Sequence, residues 1–298
     1  MRAVVILNAS AGGAGNDQPA LAGRIAGAFR ERGLEADVRR VAAADLTAAA
    51  REAGEASTHA LVMAGGDGTV SAGAAALAGS PRPLGVLPLG TRNHFARDVG
   101  IPLDLPAAVE VIARGNARAV DVGEIEGRTF INNCSIGLYP EMVVLRDRLR
   151  EEQGLPKRLA TLKASWRNLR RMPLQRLSLV LPGRTWTLTT PLVFVGNNRY
   201  GTAAFGRREG LDLGELCLYV ARPAGRWGLF GLAARALLGR VEAARDLESV
   251  CLPALEVRSA RRHLRVAVDG EVLDLGRHVR CRVRPRALRV LAPDPAGA

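Results

Sequence analysis

The sequence predicts an α/β protein, with an N-terminal doubly wound parallel-sheet domain and a second, largely antiparallel β domain at the C-terminal side. Three observations lead to this prediction. Short apolar runs alternate with helical patterns in the first third of the chain, two glycine-rich turns follow neighbouring strands, and strand-like runs dominate beyond Val120. Alternating strands and helices are typical of a parallel sheet with helices on both faces. Ligands of such sheets bind beyond the carboxyl ends of the strands.

The N-terminal elements follow from hydrophobic spacing. Val4–Leu7 is an apolar run typical of a buried parallel strand, and a turn of small residues follows it. Leu21, Ile25 and Phe29 recur every four residues, which predicts a helix around Pro19–Arg32. The next elements are predicted as a strand at Glu35–Val41, a helix at Ala43–Ala56, a strand at Ala60–Ala64, a helix at Val70–Ala78 and a strand at Gly85–Leu87.

Strand-like segments dominate the rest of the chain, with one helical interruption at Glu141–Met172 that is rich in Arg and Lys. The predicted strands are Val120–Ile125, Thr129–Ile136, Leu177–Leu181, Thr185–Leu188, Leu192–Asn197, Glu215–Val220, Leu255–Arg258, Leu264–Val268, His278–Val283 and Ala287–Ala292. We therefore predict domains at residues 1–120 and 121–285, with a basic helical insertion at 141–172. The terminal strand, within 286–298, is not assigned to either domain by the sequence.

The composition is that of a folded protein with a large positive charge. Hydrophobic residues make up 48% of the 298 residues, and the net charge is +13. This charge favours anionic partners such as nucleotides or a phospholipid surface, although a genome that prefers Arg explains it equally well. The aromatic content of 4% argues against a specific nucleic-acid binder that stacks bases on rings.

The cysteines and the apolar runs indicate the compartment. Four cysteines stand far apart without zinc-site spacing, so we predict that all four are buried and reduced. No run approaches the roughly 20 apolar residues of a membrane span, and the apolar N-terminal run is too short for a signal peptide. We predict a cytoplasmic protein with peripheral contact at the inner membrane surface, and leave a homodimer open.

Two glycine-rich motifs carry the functional prediction. They are Gly65-Gly66-Asp67-Gly68-Thr69 and Leu89-Gly90-Thr91-Arg92-Asn93, and each follows a predicted strand. Glycines at such positions let backbone N–H groups turn toward an anion without a Cβ in the way. Two of these turns on neighbouring strands would form the floor of one phosphate site, which favours phosphoryl chemistry.

The order of these motifs resembles that of the diacylglycerol kinase catalytic-domain family, which includes sphingosine kinases and bacterial lipid kinases. The matching segments are Asn8-x-Ser10-x-Gly12, Gly65–Thr69, Pro88–Arg97 and Asp269-Gly270-Glu271. The resemblance implies a nucleotide domain related to that of NAD kinases, a β-sandwich that receives the lipid, and an active site between them. The implied reaction transfers the γ-phosphoryl group of ATP to a lipid hydroxyl such as that of diacylglycerol, with Mg²⁺ as cofactor.

Each candidate residue has a role in such a reaction, which needs positioned phosphates, a neutralising metal and a group near the attacking hydroxyl. Asp67 is the candidate catalytic-metal residue, although an Asp before Gly is also an ordinary turn residue. Asp269, with Glu271 close behind, is the candidate general base, although Asp-Gly is also a common hairpin signal. The candidate ATP-binding residues are Asn8, Ser10, Gly12, Gly65, Gly66, Asp67, Gly68, Thr69, Gly90, Thr91 and Asn93.

The chain departs from the family pattern at acidic positions. His94 stands where the family usually has Asp, and Asp212-Leu213-Gly214 aligns with a metal-binding Asp-Asp-Gly segment. Histidine does not imitate a carboxylate toward Mg²⁺, but Asp212 remains a candidate ligand of a structural metal. Because of these losses, a non-catalytic nucleotide- or lipid-binding relative is one alternative function. An NAD kinase-type phosphotransferase is another, because it shares the Gly65–Thr69 motif.

Three further features bear on the acceptor. Arg226–Arg240 is an apolar segment interrupted by arginines, which suits either a membrane interface or a buried helix. The basic residues of 141–172 form either a surface for anionic lipid or a solvated face. Asn132–Gly137 and Gly196–Gly201 are small polar segments that either line a site or cap strand ends.

Overall fold

The computed structural model describes residues 2–11, 18–56, 60–153, 156–171, 174–201, 207–221, 228, 231 and 247–294. The chain divides into two compact units. Unit 1 comprises Met1–Val122, Arg128–Ile131 and Arg284–Ala298, and unit 2 comprises Gly123–Gly127 and Asn132–Val283. The predicted fold class is confirmed, because unit 1 is built on parallel strands with helices and unit 2 is β-rich and antiparallel.

Unit 1 is built on four parallel strands. They are β1 (Arg2–Asn8), β2 (Glu35–Val41), β3 (Ala60–Gly65) and β4 (Pro83–Pro88), and the order in the sheet is β2-β1-β3-β4. Strand β3 is buried along its whole length, which explains its continuous apolar run. Leu7 pairs with Ala64 and Ala64 with Leu87, so the carboxyl ends of β1, β3 and β4 lie side by side.

The described part of unit 1 also contains five helices and one short 3₁₀ turn (Ala43–Asp45). The helices are α1 (Gln18–Arg30), α2 (Leu46–Ala56), α3 (Asp67–Leu77), α4 (His94–Val99) and α5 (Leu105–Arg114). The sequence did not predict α4 or α5. The predicted start of α3 at Val70 is wrong, because the helix begins at Asp67. The last three residues of the first glycine motif therefore lie in its first turn.

Unit 2 contains a pair of helices and an antiparallel sheet. The helices are α6 (Leu138–Gln153) and α7 (Lys157–Arg171), which confirms the predicted helical insertion. The strands that lie wholly in this unit are β7 (Asn133–Gly137), β8 (Gln175–Leu181), β9 (Arg184–Thr190), β10 (Leu192–Asn197), β11 (Leu216–Ala221), β12 (Leu247–Leu252) and β13 (Ala254–Val268). Their order is β12-β11-β10-β7-β13, and β8 pairs with β13 and β9.

Strands β5 (Ala117–Ile125) and β14 (Glu271–Leu291) have residues in both units, whereas β6 (Arg128–Phe130) lies in unit 1. The first part of β14 forms a long hairpin with β13 in unit 2. Its last residues belong to unit 1, where Arg289 and Val290 pair in parallel with Pro83 and Leu84 of β4. The terminal strand that the sequence left unassigned therefore completes the sheet of unit 1.

Several predicted strand limits in the second half of the chain are wrong. The predicted strand Thr129–Ile136 is two strands, β6 and β7, separated by a bend at Ile131 and Asn132. The predicted strands Leu255–Arg258 and Leu264–Val268 are both parts of one strand, β13. Similarly, His278–Val283 and most of Ala287–Ala292 belong to β14. The two long strands meet at Asp269-Gly270, whose φ angles of 46° and 92° are those of a two-residue hairpin turn.

The prediction of four reduced cysteines is wrong for two of them. Cys217 and Cys251 lie directly opposite each other on β11 and β12 and form a disulfide. Their sequence separation of 34 hides this pairing in the sequence. Cys134 and Cys281 are free and buried. A hydrogen bond between their side chains, together with burial, raises the pKa of the Cys134 thiol well above its ordinary value.

The helix pair α6–α7 has its own small core. Leu149 packs with Ala160 and Ala164 there, and all three side chains are almost fully buried. Within the described residues, no helix has both the length and the apolar character needed to cross a membrane. The segment Arg226–Arg240 lies outside the described residues except for two glycines.

Glu256 on β13 should make the free energy of unfolding depend on pH. Its hydrogen bonds with Arg258 and then His278 lower the pKa of Glu256 from 4.5 to about 2. Because the folded-state pKa is depressed, this carboxylate stabilises the fold above its unfolded pKa, and the stabilisation disappears as the pH falls toward the folded value. We expect the urea-unfolding free energy to fall between about pH 5 and pH 2, with a shallower fall in Glu256→Gln. Equal slopes in the two proteins would contradict this assignment.

Candidate active site

The two glycine motifs of unit 1 pack against each other through their backbones. A Cβ on Gly90 would collide with the backbone of Gly66, and a Cβ on Gly66 would lie 3.4 Å from the Cα of Gly90. The N–H of Leu89 also donates to the carbonyl of Gly65, at 2.9 Å. The close approach therefore requires glycine at position 90, and the two motifs form one continuous surface.

The end of β1 is tied to the same surface. The side-chain amide Nδ2 of Asn8 donates to the hydroxyl of Thr69 at 2.9 Å, and Asn8 Oδ1 accepts from the N–H of Ser10 at 2.9 Å. Thr69 is 2% exposed and lies over Gly65, where a Cβ would overlap the Thr69 side chain. The hydrogen bond between Asn8 and Thr69 thus ties the end of β1 to the first turn of α3, which follows β3.

Asp67 connects the first motif to the helix that follows the second. Its Oδ1 accepts a hydrogen bond from the N–H of Phe95 at 3.1 Å, in the first turn of α4. This contact caps α4 from another segment. Asp67 is only half-buried, in the first turn of α3, so its carboxylate can also meet a ligand there.

Asn93 holds the second motif in shape. It is 6% exposed and has a left-handed backbone, with φ of 50°. Its Oδ1 accepts from the N–H of Gly90 at 3.0 Å, and its Nδ2 donates to the carbonyls of Pro88 and Gly90 at 3.2 and 2.8 Å. Asn tolerates a left-handed backbone better than most residues, so it suits this position in the turn.

Replacing Asn93 should therefore destabilise the second motif. We expect Asn93→Ala to lower the unfolding free energy by about 2–3 kcal/mol, because buried backbone groups lose their partners. Asn93→Gly is the matched control, since glycine accepts the left-handed backbone but makes no side-chain hydrogen bond. Chemical denaturation of both variants separates the two effects. A glycine variant as stable as the wild type would show that the hydrogen bonds contribute nothing.

The other predicted ATP-binding residues differ in how they are placed. Ser10, Gly68 and Thr91 are exposed close to the residues described above. Nothing lies within 4 Å of a Cβ placed on Gly68. Gly12 lies outside the described residues.

In unit 2, Asp269 is held by the bend between β6 and β7. Its Oδ1 accepts hydrogen bonds from the N–H groups of Asn132 and Asn133, at 2.9 and 3.0 Å. The N–H of Asp269 donates to the carbonyl of Asn133 at 2.9 Å. Asp269-Gly270 is thus a hairpin turn whose carboxylate is also fixed by two charge-assisted hydrogen bonds.

The two remaining acidic candidates are exposed. Glu271 begins β14 and pairs with Val268 across the hairpin. Asp212 lies in an irregular segment before β11. Its neighbour Leu213 donates its N–H to Asn198 Oδ1 at 3.1 Å, and 49% of Leu213 is exposed.

Sequence reasoning missed a group of polar residues beside Asp269, all buried except the half-buried Tyr200, which we call the polar centre. It consists of Asn132, Asn197, Asn198, Tyr200 and Arg208. The Asn132 carbonyl accepts from the Asn197 N–H at 2.9 Å and from the Tyr200 hydroxyl at 3.2 Å. The polar segments Asn132–Gly137 and Gly196–Gly201 indicated part of it, but nothing in the sequence distinguishes Arg208 from the other arginines.

Comparison with known sequences finds one matching family profile and relatives that are named as kinases. The sequence profile of the family described as "Diacylglycerol kinase catalytic domain" matches residues 2–125. The chain is 30% identical to a "Probable lipid kinase YegS-like" of Pectobacterium atrosepticum over 78% of this chain and 78% of that protein. It is 39% identical to the "Diacylglycerol kinase" of Bacillus subtilis, but that match spans only 38% of this chain and 39% of that protein.

Comparison with solved structures agrees on the fold. A putative diacylglycerol kinase from Bacillus anthracis superposes with a TM-score of 0.75 at 22% identity, covering 100% of this chain and 98% of that chain. At this identity the likeness shows the fold alone.

Proposed function

We propose that this chain, which belongs to the diacylglycerol kinase catalytic-domain family, is an ATP-dependent lipid kinase. In this proposal it transfers the γ-phosphoryl group of ATP to the hydroxyl of a lipid such as diacylglycerol. The single observation that carries the proposal is the contact between the two glycine motifs at Gly66 and Gly90, beside the N-terminus of α3. Glycine-lined backbone at a helix N-terminus is a ready anion site.

The phosphates of ATP would bind to this surface of unit 1. Gly66, Gly68 and Thr91 offer backbone or hydroxyl groups at the exposed face, while Asn8, Thr69 and Asn93 keep the strand ends together. Since phosphoryl transfer depends mainly on positioning and electrostatic stabilisation, a rigid surface of this kind contributes directly to the rate.

The residues of unit 1 fit a magnesium ion that arrives with ATP. Mg²⁺ in kinases is held by one or two carboxylates together with the substrate phosphates, and Asp67 offers Oδ2 at the N-terminus of α3. When bound, Mg²⁺ neutralises charge on the phosphate oxygens during transfer. The hydrogen bond from Phe95 keeps the Asp67 carboxylate in one orientation for this role.

Asp269 is the group to which we assign the acceptor proton. The lipid hydroxyl oxygen forms a bond to the γ-phosphorus, the bond from that phosphorus to the bridging oxygen breaks, and ADP leaves. The Asp269 carboxylate takes the hydroxyl proton as general base. The N–H groups of Asn132 and Asn133 fix one of its oxygens, which orients the other. Glu271 is the second candidate for this role.

A direct test compares acceptors. ADP release is measured with diacylglycerol in mixed micelles, with NAD, and with no acceptor. A lipid kinase releases ADP at a rate that depends on the lipid concentration and makes no NADP. NADP formation would favour the NAD kinase-type alternative, and no acceptor-dependent ADP release with any lipid would favour a non-catalytic binding relative.

We further propose that α7 contacts the membrane that holds the lipid. Leu159 and Trp166, seven residues apart on this helix, are 54% and 55% exposed, and the cations Lys163 and Arg167 are exposed beside them. Residues seven apart share a helix face. Apolar anchors with basic neighbours suit the surface of an anionic bilayer, where each basic residue contributes about 1 kcal/mol.

This membrane surface predicts a specific binding pattern. The protein should sediment with vesicles that contain anionic lipid more than with neutral vesicles, and less at high salt. Trp166→Ala should reduce sedimentation several-fold. Leu103→Ala is the matched control, because Leu103 is 41% exposed but lies in unit 1. Equal binding to both kinds of vesicle, or equal losses in both variants, would contradict the proposal.

A further inference from the structure

Arg208 is a buried cation in unit 2 for which the family pattern gives no role. It is 6% exposed, and among the described residues of unit 2 it is the only buried side chain that carries a fixed charge. A guanidinium stays protonated at all physiological pH values. Burial of such a charge is costly unless hydrogen bonds compensate it. The surrounding fold therefore has to be arranged around a positive charge at this point.

The contacts of Arg208 lead to the backbone that fixes Asp269. Its guanidinium donates to the carbonyl of Asn197 at 3.3 Å and to Asn132 Oδ1 at 3.5 Å. The N–H of Asn132 in turn donates to Asp269 Oδ1 at 2.9 Å. Arg208 is thus joined to Asp269 through one residue, Asn132. The segment that carries it is fixed by the β-bridge between Tyr200 and Arg208.

Three oxygens of the polar centre accept hydrogen bonds. Asn132 Oδ1 and the Asn197 carbonyl accept from Arg208, and Asn198 Oδ1 accepts from the N–H of Leu213. Two buried side-chain atoms of the centre, Asn198 Nδ2 and Asn197 Oδ1, have no hydrogen-bond partner among the described residues. Asn198 Nδ2 is a donor and cannot ligate a cation. Asn197 Oδ1 is a single neutral oxygen, whereas Mg²⁺ and Ca²⁺ take about six or more oxygen ligands.

The residues around Asp212 do not fit the structural metal that the family pattern implies. Leu213 replaces one expected carboxylate, and Asp212 itself is exposed. Within the described part of the chain, a single group of three His, Cys, Asp or Glu side chains has ligand atoms within 4.8 Å of one another. That group is Glu215, Cys217 and Cys251, and it does not include Asp212.

We propose that Arg208 is a positioning residue that supplies the positive charge of the polar centre, so that this part of unit 2 needs no divalent cation. The guanidinium holds Asn132 and Asn197 in place, and Asn132 holds Asp269. Metal content and unfolding temperature test this role within unit 2, so the result does not depend on which lipid, if any, is phosphorylated.

The first test measures metal in the full-length protein without nucleotide. After purification without chelator, elemental analysis should find well under one Mg²⁺, Ca²⁺, Mn²⁺ or Zn²⁺ per chain. The unfolding temperature should be the same in EDTA and in excess Mg²⁺. One tightly bound divalent cation per chain would overturn the proposal, as would a stabilisation by Mg²⁺ that Asp212→Asn abolishes.

The second test removes the guanidinium. Arg208→Gln should lower the unfolding temperature by about 5 °C or more, and Arg208→Lys should recover part of the loss. Arg207→Gln is the control, because the adjacent Arg207 is exposed and should be neutral. Equal unfolding temperatures for the variants at 207 and 208 would contradict the proposal. If Arg208→Gln does not fold, the metal analysis of the wild-type protein still decides the question.

Discussion

Replacement of Asp269 by Asn is expected to lower kcat/KM for the lipid acceptor by about 10²- to 10⁴-fold, the usual contribution of a general base. The side-chain oxygen of Asn can still accept the two hydrogen bonds from Asn132 and Asn133, so the turn and the fold should survive. The amide cannot take the hydroxyl proton. The binding of ATP in unit 1 should be unchanged, because none of its proposed contacts involves Asp269.

Glu271→Gln separates the two acidic candidates. Glu271 is exposed at the start of β14, so its replacement should leave both the unfolding temperature and kcat/KM close to those of the wild type. Initial rates of lipid phosphorylation and a thermal unfolding curve for each variant provide the measurement. A large loss in Glu271→Gln, with little loss in Asp269→Asn, would transfer the role of the base to Glu271.

Gly90→Ala is expected to damage ATP binding more than any other single methyl group added in unit 1. Its Cβ would overlap the Gly66 backbone and lie 2.7 Å from Asn93 Oδ1, and neither group can move away easily. The two motifs would have to separate, which should raise the KM for ATP by about tenfold or more, equivalent to about 1.4 kcal/mol of lost binding. Overpacking should also destabilise the fold by about 1–3 kcal/mol.

Gly73→Ala is the control for a variant that destabilises the fold without separating the two glycine motifs. A Cβ at Gly73 on α3 would overlap Met63 Cγ and lie 3.0 Å from Leu84 Cδ1, within the core against the sheet. Its unfolding temperature should fall, while the KM for ATP of the folded protein should stay near the wild-type value. If both variants raise the KM for ATP equally, the contact between the glycine motifs has no special role.

Strands β1, β3 and β4 were predictable because each contains an apolar run that precedes a turn of glycine or small residues. The limits of β2 were predicted correctly, and those of β3 differ only by inclusion of Gly65. The start of α3 was missed because Gly66-Asp67-Gly68 has low helix propensity. The structure overrides this propensity, since Thr69 and Val70 donate N–H groups to the carbonyl of Gly66.

The features that the sequence did not reveal depend on contacts between distant segments. The bend at Ile131–Asn132 interrupts a continuous strand-like pattern, and Asp269, more than a hundred residues later, binds the amide of Asn132. Cys217 and Cys251 come together only because β11 and β12 pair in a particular register. The burial of Arg208 similarly depends on its pairing with the segment around Tyr200, which local periodicity does not reveal.

The most direct measurement of the proposed activity is transfer of label from [γ-³²P]ATP into a total bacterial lipid extract, with mass identification of the product. We predict one predominant labelled lipid, heavier than its precursor by one phosphoryl group, whose formation requires Mg²⁺ and is lost in Asp269→Asn. Wild-type protein that labels no lipid in the extract, or an Asp269→Asn variant that labels lipid at the wild-type rate, would contradict the account.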